Sequence, residues 1–222
     1  MKLVIFSCSP RTESKSNTSS IVHAFKKGFE EISENKAEVY QLTKRNQWRN
    51  YKEIFENSKE IIFAMPLFVE CIPGLLMEFL ETLDPKERQT DTNIAFVLQG
   101  GFPEASQLRT CEKYLEKLPS YLNCNYKGTL IKGNMFALNL MEKSKEKTLE
   151  PFVEMGKVYG KKHYFEKEEV SKFAAPEFLD KKSIALMKLS APVSKIAWKY
   201  LAKMYDVKGN LKEKPLDRFV EK

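Results

Sequence analysis

Residues 2–20, KLVIFSCSPRTESKSNTSS, decide the fold class of this chain. The first residues of this stretch form a short apolar run rich in β-branched and aromatic side chains, which predicts a buried strand. Small polar residues follow, and they predict a loop. Apolar residues then recur at helical spacing from Ile21 to Ile32, which predicts a helix. The stretch therefore predicts a strand, a loop and a helix in succession.

The alternation of strand and helix patterns continues to about residue 164. Further strands are predicted at 37–42, 60–65, 93–98 and around 129–138, and further helices near 48–57, 74–83, 104–118 and 147–164. Strands that are apolar throughout and alternate with helices indicate a parallel sheet covered on both faces. We therefore predict an α/β fold with a three-layer, doubly wound sheet of five parallel strands.

Length and charge limit the classes of protein. The chain of 222 residues is long enough for one substantial core and short for two full domains. Its 37 Lys and Arg residues against 30 Asp and Glu residues give a net charge of +7. Such an excess can attract phosphates, nucleic acids or an anionic membrane surface. We expect the excess to be spread along the chain over solvated faces, with no nucleic-acid partner.

The cysteines and the N-terminus favour a cytoplasmic protein. Cys8, Cys71, Cys111 and Cys124 are widely separated, without the close spacing of a zinc or dithiol motif. The apolar run at the N-terminus is too short for a signal peptide, and no stretch reaches the roughly 18 to 20 apolar residues of a transmembrane helix. We expect reduced thiols, no metal site and no transmembrane segment.

The loop after the first strand contains many hydroxyl and amide side chains. Ser9, Arg11 and residues 16–20 lie between that strand and the first helix. The free N–H groups and positive dipole end of a helix favour a phosphate. Helix capping by solvated serines is the other interpretation, and both remain open for this loop alone.

Other phosphate-binding loops are disfavoured. The chain contains neither GxxxxGK[ST] nor GxGxxG, the signatures of nucleoside triphosphatases and dinucleotide-binding Rossmann sites. Cys8 occupies the place of the nucleophile of low-molecular-weight phosphotyrosine phosphatases. Those enzymes have an arginine six positions later, where this chain has Ser14. A nucleophilic Cys8 is therefore not expected.

The loops after the third and fourth strands suit a flat ring. Residues 65–81, MPLFVECIPGLLMEFLE, begin as an apolar and aromatic loop bounded by two prolines. The other interpretation is a plain strand-to-helix turn with Phe68 packed inward. Gly100 and Gly101 precede Phe102 at the predicted end of the fourth strand. They would allow positive φ and close approach to a ligand, although a simple turn would also explain them.

These three loops together resemble the NADPH-dependent FMN reductase branch of the flavodoxin-like superfamily over roughly residues 1–165. The resemblance rests on SPR and NT in the first loop, P-x-F and PG in the second, and the glycines of the third. It implies the flavodoxin-like strand order 2-1-3-4-5 and a bound FMN. Cys8 replaces the usual glycine before SPR, the stretch from Ser9 to Asn17 is longer than common, and Phe68 stands where tyrosine is frequent.

The resemblance also implies the residues of the cofactor site. The FMN phosphate would be held by Ser9, Arg11, Ser16, Asn17 and Thr18. The flavin ring would lie between Pro66, Leu67, Phe68 and Val69 on one side and Gly100, Gly101 and Phe102 on the other. NADPH or NADH would pass hydride to the flavin, which would reduce a small acceptor such as a quinone, a flavin or a metal ion. Since the flavin performs the chemistry, no catalytic side chain is expected.

Two further interpretations accompany the resemblance. Related reductases are often homodimers, so we expect a homodimer. A non-enzymatic flavodoxin-like FMN electron carrier is the alternative function. Flavodoxins are typically acidic and end with the fifth helix, whereas this chain is basic and continues for some 55 residues beyond it.

The composition changes after about residue 166, so we predict an FMN-binding domain over 1–166 and a helical C-terminal extension over 167–222. The extension has an apolar stripe, Val193, Ile196, Ala197, Tyr200, Leu201 and Met204. It also has a basic face, Lys181, Lys182, Lys188, Lys195, Lys199 and Lys203. We expect the stripe to pack on the core or on a partner subunit. The alternatives are a cap over the flavin cleft and contact with an anionic membrane surface, while the basic face could also bind a nucleic acid.

Overall fold

A computed structural model describes residues 1–87, 91–140, 142–204 and 206 of the chain. Five parallel strands form one sheet in the order β2-β1-β3-β4-β5, as predicted. The strands are β1 (Lys2–Ser7), β2 (Lys36–Gln41), β3 (Glu60–Pro66), β4 (Asn93–Gln99) and β5 (Asn125–Lys132). The fold is therefore flavodoxin-like, with the order reversing between β1 and β3.

The burial of each strand follows from its place in the sheet. In the inner strands β1, β3 and β4 every residue after the first is buried, because helices cover both faces. The edge strands β2 and β5 mix buried and exposed positions. A ring stack of Phe63 between Phe6 and Phe96, with centroids 5.3 and 6.1 Å apart, runs across the inner strands. The continuous apolar runs of the inner strands therefore form the core.

Seven α-helices are described. They are α1 (Asn17–Glu30), α2 (Trp48–Asn57), α3 (Gly74–Leu80), α4 (Arg109–Tyr121), α5 (Glu142–Lys162), α6 (Lys167–Ala174) and α7 (Lys181–Met204). Tyr51 of α2 and Phe79 of α3 both pack on Phe6 of β1. No helix among the described residues combines the length and apolar character needed to cross a membrane.

Helices α1 and α5 pack with their backbones in direct contact. A Cβ added to Gly28 would lie 1.8 Å from the carbonyl oxygen of Val153, and one added to Gly156 would lie 2.1 Å from that of Phe25. Only glycine permits such an approach. We call this contact, defined by Phe25, Gly28, Val153 and Gly156, the α1–α5 seam.

The predicted fifth strand was displaced. It was expected around 129–138, but β5 ends at Lys132, and Asn134 adopts a positive φ of 61° just beyond. Residues 133–140 are a loop, although their apolar composition suggested a strand. The helix expected at 104–118 is a short 3-10 turn, Ala105–Leu108, followed by α4.

The chain forms two compact units, Met1–Phe178 and Leu179–Lys222. Helix α6 lies in the first unit and α7 in the second. The division at residue 166 between a flavin-binding domain and an extension stays a prediction. Of the predicted apolar stripe, the side chains of Ile196 and Tyr200 are described. Those of Val193, Ala197, Leu201 and Met204, that of Lys195 and all of 207–222 lie outside the described residues.

Candidate functional site

Four loops meet where the parallel strands end, as this topology requires. They are residues 8–16, 67–73, 100–104 and 133–140. Backbone bonds join them: the N–H of Leu67 donates to Gln99 O (2.7 Å), and that of Gly100 donates to Lys132 O (2.9 Å). The N–H of Met135 in turn donates to Gly100 O at 2.9 Å. We call this surface the carboxyl edge.

The loop after β1 folds back on its own hydroxyl groups. Ser9 is buried, and its Oγ accepts a hydrogen bond from the N–H of Arg11 at 3.2 Å. Ser16 is buried as the N-cap of α1, where its Oγ accepts from the N–H of Ser19 at 3.1 Å. Arg11 is exposed. Both serines thus shape the loop, and the guanidinium stays on the surface.

The first turn of α1 is suited to an anion. Helix geometry leaves the N–H groups of Asn17 and Thr18 without intrahelical acceptors. The first turn contains no acidic residue, so the positive end of the helix dipole is not neutralised there. Thr18 is buried, and its Oγ1 accepts from Gln99 Nε2 at 3.4 Å. The polar end of β4 thus supports this turn.

Asn17 links this turn to a loop that the sequence analysis did not include. Its Nδ2 donates to the carbonyl oxygens of Met135 (2.7 Å) and Phe136 (3.1 Å). Ser20 Oγ also donates to Asn139 Oδ1 at 3.0 Å. The loop after β5 therefore belongs to the site. Its only local signal was Gly133-Asn134, a pair typical of turns.

Two buried polar atoms at the ends of β1 and β2 have no hydrogen-bond partner among the described residues, and neither does Asn139 Nδ2 in the loop after β5. The first two are the Ser7 hydroxyl at the end of β1 and Gln41 Oε1 at the end of β2. Buried polar groups in proteins are nearly always satisfied, so each indicates an additional group nearby. Gln41 Nε2 lies 3.5 Å from Ser19 Oγ, which places this amide beside the first turn of α1.

The loop after β3 contains a strained hairpin. Phe68 and Cys71 exchange two backbone hydrogen bonds of 3.0 Å, and between them Val69 and Glu70 have φ of 46° and 63°. Positive φ at both central residues is the feature of a type I′ turn, which favours Asn and Gly. A β-branched residue in this region is a true outlier and indicates a constraint imposed by the site.

The predicted ring-binding residues divide by exposure. Pro66 is buried at the end of β3, and Leu67 is half-buried. Phe68 is 45% exposed, whereas Val69 at the hairpin tip is 97% exposed. The inward-packed Phe68 considered as an alternative is therefore wrong. Phe68 is available to contact a ligand.

The glycines after β4 do not adopt positive φ, so the backbone freedom that they allow is not used in this loop. A Cβ on Gly100 would lie 3.3 Å from Leu108, and one on Gly101 would lie 3.5 Å from Phe136. Glycine is required more strictly at Gly133, because a Cβ there would lie only 2.5 Å from the carbonyl oxygen of Phe102. Phe102 itself is 67% exposed. The close contact between Gly133 and Phe102 therefore joins the loop after β5 to the loop after β4.

The structure brings the twelve predicted residues to one edge of the sheet. Those buried in the loops are Ser9, Ser16, Thr18, Pro66 and Gly100. Those partly or largely exposed are Arg11, Asn17, Leu67, Phe68, Val69, Gly101 and Phe102. Sequence reasoning missed Ser7, Gln41, Gln99 and the loop after β5, because their roles depend on contacts between distant segments.

The cysteine at the first loop is chemically inert. Cys8 is fully buried, and its Sγ donates to Phe6 O at 3.2 Å. Burial raises the pKa of this thiol well above its usual value, although a hydrogen bond involving the Ala64 backbone opposes the shift. A thiol without solvent exposure whose neutral form is favoured by burial is a poor nucleophile and a poor metal ligand. The phosphatase interpretation is therefore excluded.

Other features of the described residues do not compete with this site. No three His, Cys, Asp or Glu side chains within the described ranges are grouped as a metal ion would require. A groove of about 890 Å³ lies beside α1 and α5, and one of about 760 Å³ lies at the opposite edge of the sheet. Charged surface side chains such as Lys27, Glu31 and Glu53 line these grooves.

Known proteins share the fold at low sequence identity. No family model and no curated protein matches the chain. An FMN-dependent NADH-azoreductase from Bacillus anthracis, in complex with FMN, has a TM-score of 0.54 at 12% identity, covering 72% of this chain and 100% of that chain. An NADH:FMN oxidoreductase has a TM-score of 0.54 at 13% identity, covering 71% and 88%.

An NAD(P)H:quinone oxidoreductase from Methanothermobacter marburgensis gives a similar result. Its TM-score is 0.52 at 15% identity, and the match covers 73% of this chain and 98% of that chain. All three structures are thus matched over most of their length. At such identities the likeness establishes the flavodoxin-like fold.

Proposed function

We propose that this protein binds FMN at the carboxyl edge and uses it to transfer electrons from NADPH or NADH to a small acceptor. One observation supports the proposal above all. The hydroxyl-rich loop after β1 and the start of α1, which has no acidic residue, are joined by hydrogen bonds to the neighbouring loops, and these loops expose aromatic rings. One surface thus offers groups for both an anion and a flat ring, which supports the proposal. Structures sharing the fold include an FMN-dependent NADH-azoreductase and quinone and FMN oxidoreductases, which supports this chemistry.

The FMN phosphate would lie at the start of α1. The N–H groups of Asn17 and Thr18 and the guanidinium of Arg11 would donate to it. The hydroxyl groups of Ser9, Ser16 and Thr18 already accept internal hydrogen bonds. Each keeps its own hydrogen for a phosphate oxygen. These hydrogen-bond donors therefore fit a phosphate, and the first turn of α1 has no acidic side chain that would repel it.

The ring would lie against the hairpin after β3 and the loop after β4. Pro66 to Val69 would contact one side of it, and Gly100 to Phe102 would border the other. Phe68 can stack on a ring but cannot donate a hydrogen bond to it. The unpartnered Ser7 hydroxyl and Gln41 amide oxygen lie at the ends of β1 and β2, on the side of α1, and fit a polar ligand near its first turn.

A bound flavin supplies hydride acceptance from nicotinamide and electron donation to the acceptor. The residues of the chain then bind and orient, and no side chain acts as a nucleophile or base. An open, aromatic edge suits the successive entry of two flat substrates. The acceptor class includes quinones, flavins, azo compounds and metal ions.

Two further parts of the proposal concern assembly and location. We propose a homodimer, in which the exposed rings Phe68 and Phe102 would be partly covered. We also propose a cytoplasmic location, since all four cysteines are free and three are buried. Sedimentation analysis of the FMN-loaded protein tests the first, and fractionation of cells tests the second.

The decisive experiment mixes the purified full chain with FMN, removes unbound ligand and records the absorbance spectrum. Anaerobic addition of NADPH or NADH follows. Retained yellow colour that bleaches with one nicotinamide would support the oxidoreductase and identify its donor. Retained colour without bleaching would favour the electron carrier, and absence of bound flavin would refute the proposal.

A charge reversal tests the phosphate site separately. Arg11→Glu should lower FMN affinity by about tenfold or more, because it replaces a donor by a repelling charge. Riboflavin, which lacks the phosphate, should bind both proteins equally. Arg49→Glu changes another exposed arginine, on α2, and serves as the matched control. Equal losses for FMN and riboflavin would contradict the assignment of the phosphate position.

A further inference from the structure

Helix α7 carries most of the net charge of the chain. Its 24 residues contain six lysines and no acidic residue, so it accounts for six of the seven net positive charges. The expectation that the positive excess is spread along the chain is therefore wrong. Asp180 precedes the helix and accepts a hydrogen bond from the Ser183 N–H at 2.6 Å, which caps its first turn.

The same helix exposes a stripe of large apolar side chains. Leu186, Leu189, Ile196 and Tyr200 follow one another at intervals of three, seven and four, which places them on one face. Their exposed fractions are 68%, 78%, 70% and 69%. We call these four residues the α7 stripe. Apolar side chains so grouped and so exposed indicate an interaction surface.

Lysines run along the side of the α7 stripe. Lys181, Lys188, Lys199 and Lys203 share a second face, about a quarter turn around the helix axis from the stripe. All four are exposed. A helix with apolar residues on one face and lysines beside them has the pattern of segments that lie in a membrane interface. Tyr200 adds a ring of the kind enriched at headgroup level.

We propose that α7 docks on an anionic lipid surface, lying parallel to it with the α7 stripe inserted and the lysines against the headgroups. Charge complementarity favours this occupant. A second copy of α7 would add six further lysines to the assembly and no acidic partner for any of them. Nucleic acid would satisfy the lysines but would leave four large apolar side chains without apolar contacts. A lipid surface satisfies both faces.

The test is flotation of the full chain with vesicles. One set contains phosphatidylcholine alone, and the other contains equal parts of phosphatidylcholine and phosphatidylglycerol. We expect binding to the anionic vesicles only, weakened by salt. Trp198 lies on the side of the helix opposite the stripe, so the fluorescent probe is a Tyr200→Trp variant, whose ring belongs to the stripe. Anionic vesicles should shift the fluorescence of this variant to the blue more than that of the parent. Equal binding to both vesicle types, or to neither, would overturn the proposal.

Two triple variants separate the two faces. Lys188→Gln, Lys199→Gln and Lys203→Gln together should weaken anionic-vesicle binding about a hundredfold, at about fivefold for each lysine. Leu186→Ser, Leu189→Ser and Ile196→Ser together should weaken it by more than about a hundredfold. The control replaces Lys113, Lys117 and Lys161, exposed lysines of the first unit, by glutamine and should bind as the parent does. Circular dichroism of each variant verifies that it is folded.

The remaining outcomes identify the other occupants. If duplex DNA binds the protein through the α7 lysines and the protein does not float with either set of vesicles, nucleic acid is the partner and the proposal fails. If the serine variant converts a lipid-free dimer into a monomer and the parent does not float, a second copy covers the stripe and the proposal also fails. Neither result depends on whether the protein binds FMN.

Discussion

Helix α1 takes part in two regions that differ in how they are held together. In the α1–α5 seam, its second half contacts α5 through backbone atoms at Gly28 and Gly156. At the carboxyl edge, its first turn is linked to other loops by hydrogen bonds from Asn17, Ser20 and Gln99. The α1–α5 seam leaves no space for a side chain at its glycines. The carboxyl edge, in contrast, has free N–H groups at the start of α1 and exposed aromatic rings. Rigid packing of the second half of α1 thus holds its first turn in place, where we propose that the polar groups bind a ligand.

The largest expected effect is in the seam. Gly156→Ala places a methyl group 2.1 Å from the Phe25 carbonyl oxygen, which neither backbone can easily move away from. We expect a loss of about 3 kcal/mol in the free energy of unfolding, measured by urea denaturation. Gly74→Ala is the control, because nothing lies within 4 Å of its added Cβ. A destabilisation no greater than that of the control would show that the seam is loose.

At the carboxyl edge the main effect should be on ligand binding. Asn17→Ala removes the two hydrogen bonds to the loop after β5, so we expect FMN affinity to fall about tenfold. The unfolding free energy should fall by only about 1 kcal/mol. Asn57→Ala removes a comparable bond to Glu53 O on the surface of α2. If both variants bind FMN equally well, Asn17 does not organise the site.

In the strained hairpin, by contrast, a substitution should raise the free energy of unfolding while it weakens FMN binding. Val69→Gly relieves the positive φ of 46°, so the unfolding free energy should rise by about 1 kcal/mol, while FMN binding weakens. Glu34→Gly relieves a φ of 64° in the turn before β2 and should stabilise without affecting FMN. Calorimetry and flavin titration measure the two quantities. Unchanged stability in Val69→Gly would mean that the turn stores no strain.

The smallest effect on stability is expected at Glu60, the first residue of β3, at the edge of the sheet where the strands begin. Burial raises the pKa of Glu60 above 4.5, although its hydrogen bond from Asn93 opposes the shift. A carboxyl group with a raised native pKa binds its proton more tightly when folded. Its unfavourable contribution therefore grows as the pH rises through that pKa.

Replacement of Glu60 shows this pH dependence directly. Glu60→Gln should raise the Tm slightly at about pH 8 and leave it nearly unchanged at about pH 4. Glu53→Gln, which changes an exposed carboxylate of α2, is the control. If the Tm of Glu60→Gln rises as much at pH 4 as at pH 8, the gain comes from packing and not from removal of the charge.

Sequence patterns located the inner strands closely because their apolar runs reflect burial on both faces. The edge strand β5 was misplaced because its burial is mixed, and because its pairing with β4 shifts register between Ile94 and Phe96. The apolar residues of the following loop, such as Met135 and Leu138, are buried without forming a strand. Local periodicity does not distinguish these two cases.

Local patterns in the sequence were enough to predict the alternation of strands and helices, and with it the edge of the sheet where the loops of the proposed site meet. These follow from local periodicity and from the topology of parallel sheets. Three features were visible only in the folded chain: the hydrogen bonds from Asn17 to the loop after β5, the positive φ of Val69 and the complete burial of Cys8. Such features depend on which distant segments come into contact, and that information is not contained in any local stretch of residues.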